Sequence, residues 1–211
     1  MTPLEIYNSI ASYLGDGETT ICDIKAKCKQ FKSCINKSSS TVLDFDGAAT
    51  TYAKSQTPPI STPQSVDAIA LDCSKTLLVL IEKKTWEKFL DHLTGSDKFN
   101  PQSAALDKVK SFDLQGKYQS TRTICEYITC ESGFFQNLSH VFVFLSEFSD
   151  KAVMGGFANT MFLLASTSST VDYAIQQHVV DGMRKHLTTV SCSKSRYLNC
   201  MEFDDFLKNP Y

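Results

Sequence analysis

Apolar positions recur along the chain at two periods, one helical and one extended. Thr2-Pro3-Leu4-Glu5 combines an N-cap hydroxyl, a proline at the first helical position and a capping-box glutamate, and Leu4, Tyr7, Ala11 and Leu14 then fall on one face. After Gly15-Asp16-Gly17, the spacing of Ile21, Ile24, Cys28, Phe31 and Ile35 behind Thr19 or Thr20 predicts a second helix. Residues 41–53 hold β-prone side chains around Gly47, and residues 54–65, with Pro58, Pro59 and Pro63 among Ser and Thr, read as a loop. Val66 to Leu71 and Thr76 to Ile81 are strand-like runs separated by Cys73-Ser74-Lys75, which predicts a β-hairpin. Leu77-Leu78-Val79-Leu80-Ile81 is apolar at every position, the mark of a central strand covered on both faces.

Downstream, Trp86, Phe89, Leu90 and Leu93 predict a helix, as do residues 117–130 with Tyr118, Thr121, Cys125 and Ile128 facing inward. His140 to Leu145 reads as a second doubly covered strand, followed by a break at Gly155-Gly156. A helix over 171–187 aligns Ile175, Val179, Met183 and Leu187, and a last strand is expected over 197–201. This order predicts an α/β protein, a mixed central β-sheet flanked by helices. One domain is expected, with N-terminal helices over 1–40, a core over 41–145 and a helix-and-strand extension over 146–211.

Composition narrows the class. At 211 residues, 42% hydrophobic and 21% charged, the chain is neither fibrous nor composed like a disordered segment. Its longest apolar runs fall short of the ~20 residues that cross a bilayer, so no membrane partner is expected. Met1-Thr2-Pro3-Leu4-Glu5 lacks the basic and apolar regions of a secretion signal, so a cytoplasmic location is expected and the eight cysteines are expected to be reduced thiols. They include no CxxC pair, and Cys22, Cys28 and Cys34 are spaced six apart, off any common helix face. A net charge of -2 excludes a uniformly basic nucleic-acid coat and leaves two local clusters, Lys25, Lys27, Lys29, Lys32 and Lys37, and Lys108, Lys110, Lys117 and Arg122.

Chemistry concentrates at the hairpin. Glu82 and Lys84 are two apart at the end of the apolar strand and so project to one face, while Lys83 points the other way. A loop over 73–76 pairs position 72 with 77 and hence position 67 with 82, which sets Asp67 opposite Glu82. Asp72 then lies five residues from that pair, roughly 16 Å along the strand, too far to share an ion with Glu82. Two carboxylates in proximity repel, and a hard divalent cation or a shared proton relieves them. A lysine beside them suits metal-activated water attacking a phosphodiester.

Asp67 followed by Glu82-Lys83-Lys84 resembles the PD-(D/E)xK nucleases, the restriction-endonuclease-like fold. That core, a helix, a three-stranded antiparallel unit, a helix and another strand, can be laid on residues 1–145. The resemblance implies that Asp67, Glu82 and the main-chain carbonyl of Lys83 ligate Mg2+ or Mn2+, and that Lys84 stands next to the attacking water. It implies a magnesium-dependent endonuclease acting on DNA, in restriction or other antiviral defence, as a homodimer or within a larger complex. Glu5 or Glu18 could add a further acid, and Lys117 or Gln119 a polar group from the following helix. Val66 stands where the family name has proline.

The acid-x-Lys triplet occurs twice, and the other copy, Asp23-Ile24-Lys25, lies in an expected helix where such residues do not share a face. Leu43-Asp44-Phe45-Asp46-Gly47 has the DxD spacing of phosphatases without downstream partners, and Asp46 could instead reach the metal site from the preceding strand. His92, His140, His178 and His186 have no HExxH or GxSxG context. The competing expectation is a non-catalytic binding or assembly subunit that keeps the fold.

Overall fold

A computed structural model of the chain describes residues 1–15, 17–24, 38–86, 101–147 and 167–210. Helix α1 (Pro3–Leu14) starts at Thr2, whose hydroxyl accepts the Glu5 N–H at 3.3 Å while Glu5 Oε2 accepts the Thr2 N–H at 2.7 Å. It stops at Gly15, where the left-handed φ of 62° favours glycine. The chain continues through β1 (Glu18–Thr20), β2 (Thr41–Asp44), α2 (Phe45–Ser55), β3 (Ala68–Leu71) and β4 (Leu78–Lys83). Then follow α3 (Pro101–Lys110), α4 (Leu114–Thr129), a 3-10 turn at Phe134–Gln136, β5 (His140–Ser146), α5 (Thr167–Leu187), β6 (Ser195–Asn199) and α6 (Cys200–Lys208).

The six strands form one mixed sheet in chain order. β1 to β4 pair antiparallel, and β4–β5 and β5–β6 pair parallel. The apolar runs are covered on both faces, as their composition predicts. Leu78, Leu80, Phe142 and Phe144 enter the larger core with α1, α2, α4 and α5, while Val79, Ile81, Val141, Val143 and Leu145 enter a second core with Ile21, Ile24, Phe203 and Leu207. No helix among the described residues is long and apolar enough to cross a membrane.

The hairpin, helix α4 and β5 form where the sequence predicts them. Other expectations are corrected. Residues 18–20 are strand β1 paired to β2 rather than the cap of a second helix, because a three-residue edge strand leaves too little pattern to outweigh the helical spacing beyond it. Residues 45–55 are helix rather than strand: the Asp44 carboxylate accepts the Asp46 N–H, and Ala48, Ala49 and Ala53 are buried at helical spacing. The last strand ends at Asn199, whose side chain caps α6 in a capping box with Glu202. Helix α3 was not expected; it packs against α5, where Gly182 leaves room for Leu106 and Val109. The expected helix positions Cys28, Phe31, Ile35, Phe89, Leu90 and Leu93, the Gly155-Gly156 break, His92 and the lysines at 25, 27, 29, 32 and 37 lie outside the described residues.

Candidate active site

The hairpin register brings the two acids together. Leu71 pairs with Leu78 and Ala68 with Ile81, so one step further Asp67 lies opposite Glu82, and the Asp67 N–H donates to the Ile81 carbonyl at 2.9 Å. The Asp67 carbonyl accepts the Phe45 N–H at 3.0 Å, so the start of α2 clamps the same residue from the other side. Glu82 pairs with Phe144 of β5 on the face of the larger core. Both Asp67 and Glu82 are fully buried.

Two lysines meet the carboxylates. Lys84 Nζ is 2.5 Å from Glu82 Oε1 and 3.7 Å from Asp67 Oδ2, so one ammonium touches both acids. Lys117 Nζ, from the first turn of α4, donates to both oxygens of Glu82 at 2.8 Å. Its backbone is anchored: Thr121 Oγ1 donates to the Lys117 carbonyl at 2.8 Å and accepts the Val66 N–H at 3.0 Å, tying α4 to the residue before Asp67. Burial raises the Glu82 carboxyl above the usual range and the charge of Asp67 adds to that, with Lys84 and Lys117 pulling the other way.

Lys83 faces away, as the strand alternation predicts. Its Nζ donates to the Ile21 carbonyl at 2.6 Å across the second core, while its backbone N–H donates to Asp67 Oδ2 at 2.8 Å. Of the further candidates, Lys117 reaches the site, whereas Gln119 is exposed. Glu5 is exposed and occupied in its capping box. Glu18 lies on edge strand β1, three strands from β4 and so ~14 Å away, where it accepts the Tyr7 hydroxyl. Asp46 sits in the first turn of α2 rather than on a strand.

A polar pair that the sequence reading missed lies at the other end of β5: Tyr118 Oη is 2.8 Å from His140 Nε2, with His140 Nδ1 on the Leu138 carbonyl. Tyr118 was legible only as an inner helix position, and nothing in the spacing linked it to a histidine 22 residues on.

Among the described residues, no group of three or more His, Cys, Asp or Glu side chains is placed to hold a metal. A cation between Asp67 and Glu82 would therefore rest on two carboxylates, with backbone oxygen and water completing its shell. That donor set fits Mg2+, which keeps several waters and takes one or two carboxylates, better than it fits a thiophilic ion. No known family model, curated protein or solved structure matches the chain.

Proposed function

We propose that the chain is a metal-dependent phosphodiesterase acting on DNA, built on a restriction-endonuclease-like core. The observation that carries this reading is the convergence of two buried carboxylates, Asp67 and Glu82, on the Lys84 ammonium at the end of a central strand. Such an arrangement costs desolvation energy that a merely structural role could avoid, since apolar residues of similar volume stabilise such a position as well or better. The order of α1, the antiparallel strands, α4 and parallel β5 supports the proposed core.

In this mechanism Asp67, Glu82 and the Lys83 carbonyl would hold Mg2+ or Mn2+. When bound, the ion supplies acidity to a coordinated water and charge to offset the phosphate. Lys84 orients the attacking water and stabilises the negative charge that develops on the phosphodiester. The sheet face behind Glu82 excludes water, which strengthens each of these interactions. The biological setting proposed with it is cytoplasmic defence against foreign DNA, through a homodimer or a larger complex.

A second reading, a binding or assembly subunit that keeps the fold without the chemistry, is favoured by one observation: Glu82 is already matched by two lysines, so the four side chains are neutral together. Cleavage of plasmid and single-stranded DNA with Mg2+ or Mn2+ separates the two, using wild type, Glu82→Ala and Lys84→Ala. Metal-dependent cutting lost in both variants supports the enzyme; no cutting together with no metal binding by calorimetry favours the subunit.

A further inference from the structure

We infer that Lys117 is a resident counter-ion which a divalent cation must displace from Glu82 before the site is loaded. The inference rests on the metal-site reading above and goes beyond it by assigning a role to a residue outside the Asp67, Glu82 and Lys84 set.

Three observations carry it. Lys117 donates to both Glu82 oxygens at 2.8 Å, so its ammonium sits where an ion held by that carboxylate would sit. The carboxylates are sealed, with side chains 0% exposed, whereas Lys84 is 21% and Lys117 13% exposed, so an incoming ion reaches the acids past the lysines. Finally, Lys117 lies in the first turn of α4, and its N–H makes an opening bond of the helix, to the Asp113 carbonyl at 3.0 Å. A cation there faces the positive end of the helix dipole, which disfavours it once Glu82 has another partner.

The charge count gives the direction. Two carboxylates and two ammoniums are neutral, and adding a divalent ion without losing a lysine leaves two uncompensated positive charges among buried groups. Moving Lys117 to solvent removes one of them. Lys84 is the less suited to leave, because it contacts both acids, whereas Lys117 is bonded to Glu82, and it also lies 5.9 Å from the Phe112 ring centroid.

The test uses the full chain and the metal ions alone. Calorimetry with Mn2+ and Mg2+ compares wild type, Lys117→Met and Lys117→Arg. Removing one unit charge a few ångströms away should tighten Lys117→Met about tenfold or more, with Lys117→Arg equal to or weaker than wild type. Lys117→Met should also melt lower in chelator and recover with the ion, because Glu82 regains a partner. If that variant fails to fold, wild type decides the matter: acetylation of Lys117, followed by peptide mass spectrometry and normalised to Lys110, which is 74% exposed, should accelerate several-fold at saturating Mn2+. Equal affinities in wild type and Lys117→Met, or an unchanged Lys117 labelling rate while the ion binds, overturns the counter-ion role and leaves the metal site standing. No binding in either protein removes both.

Discussion

The two ends of one hairpin bury acids in different ways. At the turn, Asp72 is 2% exposed, and its carboxylate accepts backbone N–H groups from Ser74 at 3.1 Å, Thr76 at 2.8 Å and Leu77 at 2.7 Å, besides the Ser74 hydroxyl. At the open end, the Lys83 N–H reaches Asp67, the Lys84 ammonium meets both acids and the Lys117 ammonium meets Glu82. A carboxylate closed by backbone amides cannot change partners unless the turn unfolds. One held by ammonium groups can, because a lysine stem swings to solvent through rotamer changes alone. Burial does not distinguish the two ends; the lysine donors do, and under the proposed function they make the open end the place where a ligand enters.

The largest effects should test that division directly. In plasmid-nicking assays with Mg2+, Asp67→Asn, Glu82→Gln and Lys84→Ala are each expected to slow cleavage by about a hundredfold or more, the scale of removing an electrostatic contributor to a transition state. Asp72→Asn should leave the rate per folded molecule within a few-fold of wild type. Equal losses at the two ends would erase the contrast. Stability should rank the other way: Asp72→Ala leaves three turn amides without their acceptor, and a urea titration should show a loss of about 3 kcal/mol.

Acid sharpens the comparison further. Burial by itself would raise the Asp72 carboxyl, but hydrogen bonds from Ser74 and from the Leu77, Thr76 and Ser74 amides outweigh it and hold it below the usual carboxylate range. A depressed folded-state value means that its stabilisation is fully present above the unfolded value near pH 4 and is lost as pH falls through the folded one. Asp72→Asn should therefore flatten the acid limb of the stability curve below about pH 4 and leave its shape near neutrality unchanged. A wild-type limb retained in the variant would assign acid sensitivity elsewhere.

These contrasts are partly legible in the sequence. The Asp67–Glu82 pairing follows from counting across the hairpin, because strand alternation and antiparallel register are rigid rules once the loop is placed. The same alternation sends Lys83 to the opposite face, where it meets Ile21. Lys117 could be named only as one of two polar residues near the start of a helix. Which of them reaches Glu82 depends on how α4 crosses the sheet, and that crossing is set by tertiary contacts such as Thr121 on Val66. Helices α2 and α6 escaped the reading because their caps, Asp44 and Asn199, each directly follow residues in a strand, so the change of period falls between adjacent positions.

The smallest effect concerns the helix start that delivers Lys117. Asp113 caps α4 by accepting the Gly116 N–H at 2.8 Å, and a Cβ on Gly116 would come within 2.1 Å of the other carboxylate oxygen. Glycine inside a helix ordinarily gives up about 1 kcal/mol relative to alanine, and loss of an aspartate cap costs about the same. The two should therefore cancel: Gly116→Ala is expected to be near neutral in wild type, Asp113→Ala to lose about 1 kcal/mol, and Gly116→Ala to regain most of that in the Asp113→Ala background. A denaturant double-mutant cycle reads the coupling, and simple additivity would mean that the cap does not depend on the glycine. Because this turn carries Lys117, Asp113→Ala should also loosen the lysine's hold on Glu82 while leaving Asp72 untouched, so its acetylation rate would rise even without metal. A rate unchanged from wild type would show that Thr121, rather than the cap, positions the lysine.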